Sequence, residues 1–398
     1  MKERIALVCQ RYGKEVLGGA ELYCRQLAEK LLEVYDVTVY STCALDYVTW
    51  KNHYPAGVER IDGVRVKRYP NEKERKMRRF APLHKAILDG AVLTDKEEER
   101  WIIEQGPYCP KLIRALCEEH DRYRAVIFMT SLYYTTVRGM LRGFRNAFLI
   151  PTVHDEAPNS LRIYDRVFNN AKGIFWNTFE EKAYANRRFP ETDAIPGVVA
   201  GAGIDGPAGA LPALPAELRG KRYVTYAGRI DEEKGCVEMI RYFRRFRRET
   251  GSDLKLVLMG RPVIKIPKDP DIISLGFVPE EMKFAVMKET FALLLFSRLE
   301  SLSIVVLESM YMGRPVIVSE YCDVLRGHCV RSNAGLYFKS YREFRAVLEY
   351  LLSHPGEYEV MCRNGIRYVE ENYRWDVIVG KYRDLIGRVM GTDCSAVD

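Results

Sequence analysis

The chain has 398 residues, too many for one hydrophobic core, because single cores rarely grow past about 250–300 residues, so two or three domains are expected. Hydrophobic residues make up 47% and charged residues 29%, which excludes a disordered chain, and no apolar run approaches the roughly 20 residues that cross a bilayer. The net charge of +7 suits a phosphate-bearing partner, either a nucleotide or an anionic membrane surface, but it is too scattered to argue for a nucleic-acid binder.

Residues 5–9 read as a buried strand, 20–34 as a helix and 37–41 as a second strand. Apolar runs at 125–129, 148–153 and 173–176 repeat the theme. The second half starts over, with strands at 223–227, 254–259, 272–275, 292–296 and 315–318 and helical stretches between them. Such alternation argues for parallel sheets covered by helices on both faces, and two series of it for two doubly wound α/β domains. Residues 196–220 are rich in Gly, Pro and Ala and read as an inter-domain linker. The domains expected are therefore 1–200 and 221–372, joined by a linker over 201–220, with a last helical segment over 373–398.

Ten cysteines with no CxxC pair read as reduced thiols, Cys394 among them, and the N-terminal MKERIALVCQ has no secretory h-region, so a cytoplasmic protein is expected. GAGIDG at 201–206 spells a dinucleotide fingerprint, but Pro207, Pro212 and Pro215 follow at once and forbid the helix that such a fingerprint must open. Asp269 and Asp271 spell D-x-D and read as a solvated loop. His154, Asp155 and Glu156 are adjacent, so their side chains diverge and a shared metal is not expected.

Three stretches carry chemistry. Gly18 and Gly19 precede the helix at 20–34, where glycine lets backbone N–H groups approach an anion. Arg229 and Lys234 follow the strand at 223–227, a cation pair at a strand's carboxyl end that suits a diphosphate. LFSRLESLSIVVLES at 295–309 sets Glu300 and Glu308 eight positions apart around an apolar run. Ser303 is expected to cap a helix through Ile304 to Met312, which sets it roughly 7–8 Å along the axis from Glu308, about the span from a diphosphate to its ribose. The helix at MIRYFRRFRRE has one apolar face and one arginine face, and residues 71–80, NEKERKMRRF, are basic enough to touch a membrane.

The array of GGAE (18–21), VHDE (153–156), GRIDEEKG (228–235), LVLMG (256–260), the E-x7-E stretch (300–308), MGRPVIVS (312–319) and ENYRWDVIVGKY (371–382) resembles the retaining glycosyltransferases of family 4 along nearly the whole chain. The resemblance implies the GT-B fold, two Rossmann-like domains facing a cleft, with the C-terminal helix packing back on the first. It implies that Arg229 and Lys234 hold the diphosphate of a UDP- or GDP-sugar, with Leu302, Ser303 and Ile304 at the helix start, Glu308 on the ribose, Glu300 on the sugar, His154 beside it, and Gly18 and Gly19 lining the cleft. No metal or cofactor is expected; the acceptor would be a saccharide or a lipid-linked hydroxyl, with peripheral membrane contact through 71–80. A non-catalytic nucleotide-sugar-binding subunit and a GT-B epimerase are the competing readings. The chain departs from the family in Leu302–Ser303, which replace the commoner Phe-Gly, and in EYCDVLRGHC (320–329), where a Gly-rich loop is usual.

Overall fold

The computed structural model describes residues 2–16, 18–207 and 209–391. They form two compact units: residues up to Ala202 together with those from Ile378 on, and Gly203–Val377.

The first unit is built on an eight-stranded sheet. Its strands are β1 (Arg4–Val8), β2 (Asp36–Thr42), β3 (Gly57–Ile61), β4 (Val64–Tyr69), β5 (Ala125–Met129), β6 (Ala147–Ile150), β7 (Gly173–Trp176) and β8 (Gly197–Val199), in the order β3-β4-β2-β1-β5-β6-β7-β8. The central strands are apolar end to end because helices cover both faces, and β5, β6 and β7 are buried at every position. All pairings are parallel except β3 with β4 at the edge. That hairpin turns on Asp62 (φ 47°) and Gly63 (φ 83°), an Asp-Gly pair able to hold two left-handed residues in a row. The alternation of apolar runs did not reveal it.

Three helices, Met77–Leu88, Asp95–Gln105 and Pro110–Glu119, stand between β4 and β5. Thr94 and Glu97 close a reciprocal capping box on the second of them. Two cations of the basic stretch before them, Lys73 and Arg75, are partly buried and engaged. The Arg75 guanidinium donates to the carbonyls of Gln105, Glu104 and Tyr47 and lies over the Phe80 ring, and Lys73 pairs with the buried Glu104 at 3.1 Å. Residues 196–220 are not all linker, because β8 lies among them and pairs with β7. From Ile378 on, the helix Trp375–Met390 packs on the first unit, where Tyr382 stacks on Phe175 and shares a hydrogen bond of 2.7 Å with the Tyr23 hydroxyl. Residues 392–398, with Cys394, lie outside the described residues.

The second unit has six parallel strands: β9 (Tyr223–Ala227), β10 (Lys255–Met259), β11 (Ile272–Gly276), β12 (Leu293–Leu295), β13 (Val316–Ser319) and β14 (Gly335–Phe338), in the order β11-β10-β9-β12-β13-β14. In each unit the strand order reverses beside the first strand, β1 or β9, which leaves a crevice at the carboxyl ends where open α/β sheets bind ligands.

The turn after β9 depends on a close backbone approach. Gly260, just past β10, has φ 141°, and a Cβ there would stand 1.8 Å from the Gly228 carbonyl oxygen. Gly260→Ala should therefore force the two strand ends apart and destabilise the protein by roughly 3 kcal/mol. An unchanged midpoint in urea denaturation would show that the approach is relaxed without cost.

Candidate functional site

The second unit gathers most of the candidate residues at the carboxyl ends of β9 and β12. Asp231 organises the turn after β9. Its carboxylate accepts the backbone N–H of Lys234 at 2.8 Å, and its other oxygen pairs with the Arg229 guanidinium. Arg229 also reaches Glu233 at 2.9 Å, a glutamate whose side chain is 84% exposed. Lys234 looks the other way: its ammonium meets Glu300, on the loop after β12, at 2.8 Å. Two residues chosen from separate motifs thus share one site, while Arg229 is held by the neighbouring acids.

After Glu300 the chain enters the helix Ile304–Tyr311 through Ser303, which stands at its N-cap position. Ser303 does not cap with its side chain. Its backbone lies in the left-handed region (φ 64°), its hydroxyl is buried without a hydrogen-bond partner, and no cap bond forms. This is why glycine suits the position, and why Ser303 holds strain here. The loop is held from below by His328, whose Nε2–H donates to the Leu302 carbonyl at 2.9 Å while Nδ1 accepts from the Tyr368 hydroxyl at 3.1 Å. Burial drives the His328 pKa down to about 3, so the ring stays neutral. The segment 320–329, taken from the sequence as a loop, is mostly the helix Asp323–Ser332 that carries His328. Sequence reading missed His328 because nothing local marks a histidine that acts 26 positions back along the chain.

Glu308 is buried on the helix and pairs with Lys283 at 2.6 Å. Burial raises its pKa and the lysine opposes the rise. Lys283, on the helix Glu280–Glu289, was not singled out from the sequence either.

In the first unit, Gly18 and Gly19 open the helix Gly19–Leu31. A Cβ on Gly18 would stand 2.2 Å from a Glu21 carboxylate oxygen, whereas one on Gly19 would meet nothing within 4 Å. Only Gly18 is demanded by packing. Glu21 is held below it by the Arg11 guanidinium at 2.6 Å and the Gln10 amide at 3.0 Å. Thr130 (φ 65°) and Thr152 (φ 51°), just past β5 and β6, are left-handed residues of the kind that collect at functional strand ends. His154 follows, with Nε2 3.8 Å from Glu156 and Nδ1 buried without a partner. Glu156, which the sequence offered in the VHDE motif and in a rejected metal triad but in no role of its own, pairs with His154, and its burial raises its pKa. The His154 loop is anchored by Glu181, whose carboxylate accepts the backbone N–H of Val153 at 2.7 Å and that of Asn177 at 2.5 Å.

Asp269 and Asp271 are not the solvated loop expected of them. Each holds a guanidinium, Asp269 that of Arg244 at 2.8 Å and Asp271 that of Arg247 at 3.0 Å. Among the described residues no helix is long and apolar enough to cross a membrane, and nine cysteines are free thiols.

Residues 215–368 match the family model for glycosyl transferases group 1, a segment lying wholly within the second unit. A 111-residue segment is 29% identical to glycosyltransferase 1 domain-containing protein 1 of Xenopus tropicalis; it covers 27% of this chain and 31% of that protein, so the match spans about a third of the relative's length. Among solved structures, sucrose-phosphate synthase of Thermosynechococcus elongatus is similar with a TM-score of 0.69 at 17% identity, over 98% of this chain and 100% of that one. The E. coli trehalose-6-phosphate protein bound with UDP-2-fluoro glucose is similar at TM-score 0.68 and 12% identity, over 98% and 99% of the two chains. Anabaena HepE, in complex with UDP and glucose, is similar at 0.67 and 13%, over 97% and 100%. The two Rossmann-like units are those of the GT-B fold, and the likeness to glycosyl transferases group 1 extends over residues 215–368.

Two predictions follow from the strained and buried groups. Ser303→Gly and Ser303→Ala both remove the orphaned hydroxyl, but only glycine also removes the backbone strain, so Ser303→Gly should be the more stable of the two by on the order of 1 kcal/mol; equal melting temperatures for the two variants would contradict this. Burial lifts the Glu181 carboxyl from 4.5 to about 8, against the N–H donors that lower it. The folded state therefore holds a proton that the unfolded state has released, and this group's contribution to stability falls as pH rises from 4.5 to about 8, then levels. In urea titrations across that window, the stability difference between wild type and Glu181→Gln should slope with pH; a flat difference would place the carboxyl at its ordinary value.

Proposed function

We propose that the protein transfers a sugar from a nucleoside-diphosphate sugar, a UDP- or GDP-sugar, to an acceptor hydroxyl with retention of anomeric configuration. The observation that carries this reading is the Lys234–Glu300 contact of 2.8 Å, set between the strand ends and the start of the helix Ile304–Tyr311 inside the segment that matches glycosyl transferases group 1. That neighbours of the same fold are described with UDP, UDP-2-fluoro glucose and glucose supports the donor class.

In this reading Lys234 and Arg229 neutralise the leaving diphosphate. Glu233 is almost fully exposed, so its pair with Arg229 is worth little and phosphate oxygens displace it. Leu302, Ser303 and Ile304 present the helix N-terminus to the same diphosphate, and the unpartnered Ser303 hydroxyl donates to it. Glu308, paired with Lys283, accepts from the ribose hydroxyls. Glu300 holds the sugar, and its carboxylate strengthens its contacts as positive charge develops at the reacting carbon. In the first unit, Gly18 and Gly19 leave the start of the helix Gly19–Leu31 open to a ligand, and His154, backed by Glu156, offers a polar group for a sugar. The diphosphate itself takes the acceptor's proton as the acceptor oxygen attacks the face that the diphosphate leaves. The two cations and the helix N-terminus supply the positive charge that a divalent metal would otherwise bring, so turnover should survive EDTA. The acceptor is a saccharide or a lipid-linked hydroxyl of glycan or glycolipid synthesis at the cytoplasmic side of a membrane. Exposed Lys76, Met77 and Arg78 are the part of the 71–80 stretch and its following helix left free to touch one.

The test compares Glu308→Gln and Glu300→Gln in turnover and in binding of the free nucleoside diphosphate, which has ribose and phosphates but no sugar. Glu308→Gln should weaken that ligand by about 1–3 kcal/mol. Glu300→Gln should leave it almost unchanged but lower kcat. Lys234→Ala should weaken both the diphosphate and the donor. Equal losses of the sugarless ligand in both glutamate variants would overturn the division of roles. Tight donor binding with neither transfer nor hydrolysis in the wild type would favour a nucleotide-sugar-binding subunit, and release of an isomerised sugar an epimerase.

A further inference from the structure

The helix Cys236–Thr250 turns Phe243 and Phe246 into the core and leaves an arginine-rich face outside. Against that face lies the segment before β11, and between them runs a groove of about 660 Å³. Five arginines and two aspartates line it. The aspartates are already engaged. Asp269 takes the Nε–H of Arg244 at 2.8 Å, and Asp271 takes the Nε–H of Arg247 at 3.0 Å together with the Lys255 ammonium. These pairs hold each guanidinium by its Nε side. The Nη1 group of Arg247 is buried with no hydrogen-bond partner, an unusual state for a strong donor. Arg241, Arg244 and Arg248 follow at three- and four-residue spacing on one helix face, and among the described residues Arg248 has no acidic partner. Lys265 and Lys268, on the segment that supplies the aspartates, are both exposed.

We propose that this groove is a binding site for a phosphate-bearing anion, separate from the donor site and independent of the proposed function. The separation follows from topology: Arg229 and Lys234 follow the carboxyl end of β9, whereas Asp269 and Asp271 precede the amino end of β11 in the same parallel sheet. Guanidinium groups fixed at Nε present their remaining N–H groups as a fork, the geometry that takes two oxygens of one phosphate. The phosphate is that of a lipid headgroup or of a soluble molecule, and the two sources are separable.

The experiment uses the full chain, wild type, Arg244→Gln/Arg248→Gln and the single exposed change Arg248→Glu. Flotation with phosphatidylcholine vesicles, with and without phosphatidylglycerol, tests the headgroup; calorimetric titration with inorganic pyrophosphate tests the soluble ligand. Pyrophosphate also probes the donor site, so Lys234→Ala is titrated in parallel. If lipid is the source, wild type floats only with phosphatidylglycerol and both groove variants lose about tenfold or more in binding. If the ligand is soluble, vesicles do not bind, and pyrophosphate shows two sites, one lost in the groove variants and the other in Lys234→Ala. Vesicle binding or a second pyrophosphate site that persists unchanged in both groove variants overturns the proposal, as does the absence of both in the wild type. A groove variant that keeps its nucleoside-diphosphate affinity is folded and leaves the donor reading untouched.

Discussion

The contact between the Lys234 ammonium and the Glu300 carboxylate links the loops after two adjacent strands, β9 and β12, at the point where the sheet's order reverses. Each partner is set by its own backbone device. Lys234 rests on Asp231, which accepts its N–H, and Glu300 precedes a helix entry that passes through the left-handed Ser303. Because parallel strands deliver all their carboxyl ends to one edge, a cation from one motif and an acid from another meet without any long-range element bridging them. The close approach of Gly228 and Gly260 keeps the same edge narrow.

Around that edge, and around its counterpart in the first unit, buried carboxylates come with partners. Glu308 has Lys283, Glu21 has Arg11 and Gln10, and Glu181 has the N–H groups of Val153 and Asn177. A buried carboxyl without such partners would be costly, charged or neutral, so each acid orders the loop beside it. Glu21 sits under Gly18, Glu181 anchors the segment that carries His154, and the neutral His328 does the same for Leu302. The candidate ligand-facing residues thus stand on a shell of committed ones, the arrangement that keeps functional side chains in place.

How much of this could be read in advance depended on whether the signal was local. Apolar strands, the two α/β series, the glycines before the first helix, the Arg229–Lys234 turn and the two glutamates all show in short windows, because period, turn chemistry and charge are properties of neighbouring residues. Boundaries were less legible: β8 is three residues long and hidden in a Gly- and Pro-rich stretch, and the β3–β4 edge hairpin alternates too weakly to stand out from its polar surroundings. The sequence by itself determined the fold class, the strand ends that form the candidate site, and most of the residues at it. Only the tertiary structure decided which of them meet: Lys234 with Glu300 rather than with the adjacent acids, Glu308 with Lys283, and the arginines of one helix with aspartates more than twenty residues on. Those pairings join separate chain segments, and burial chooses among the oppositely charged neighbours that the sequence leaves equally available.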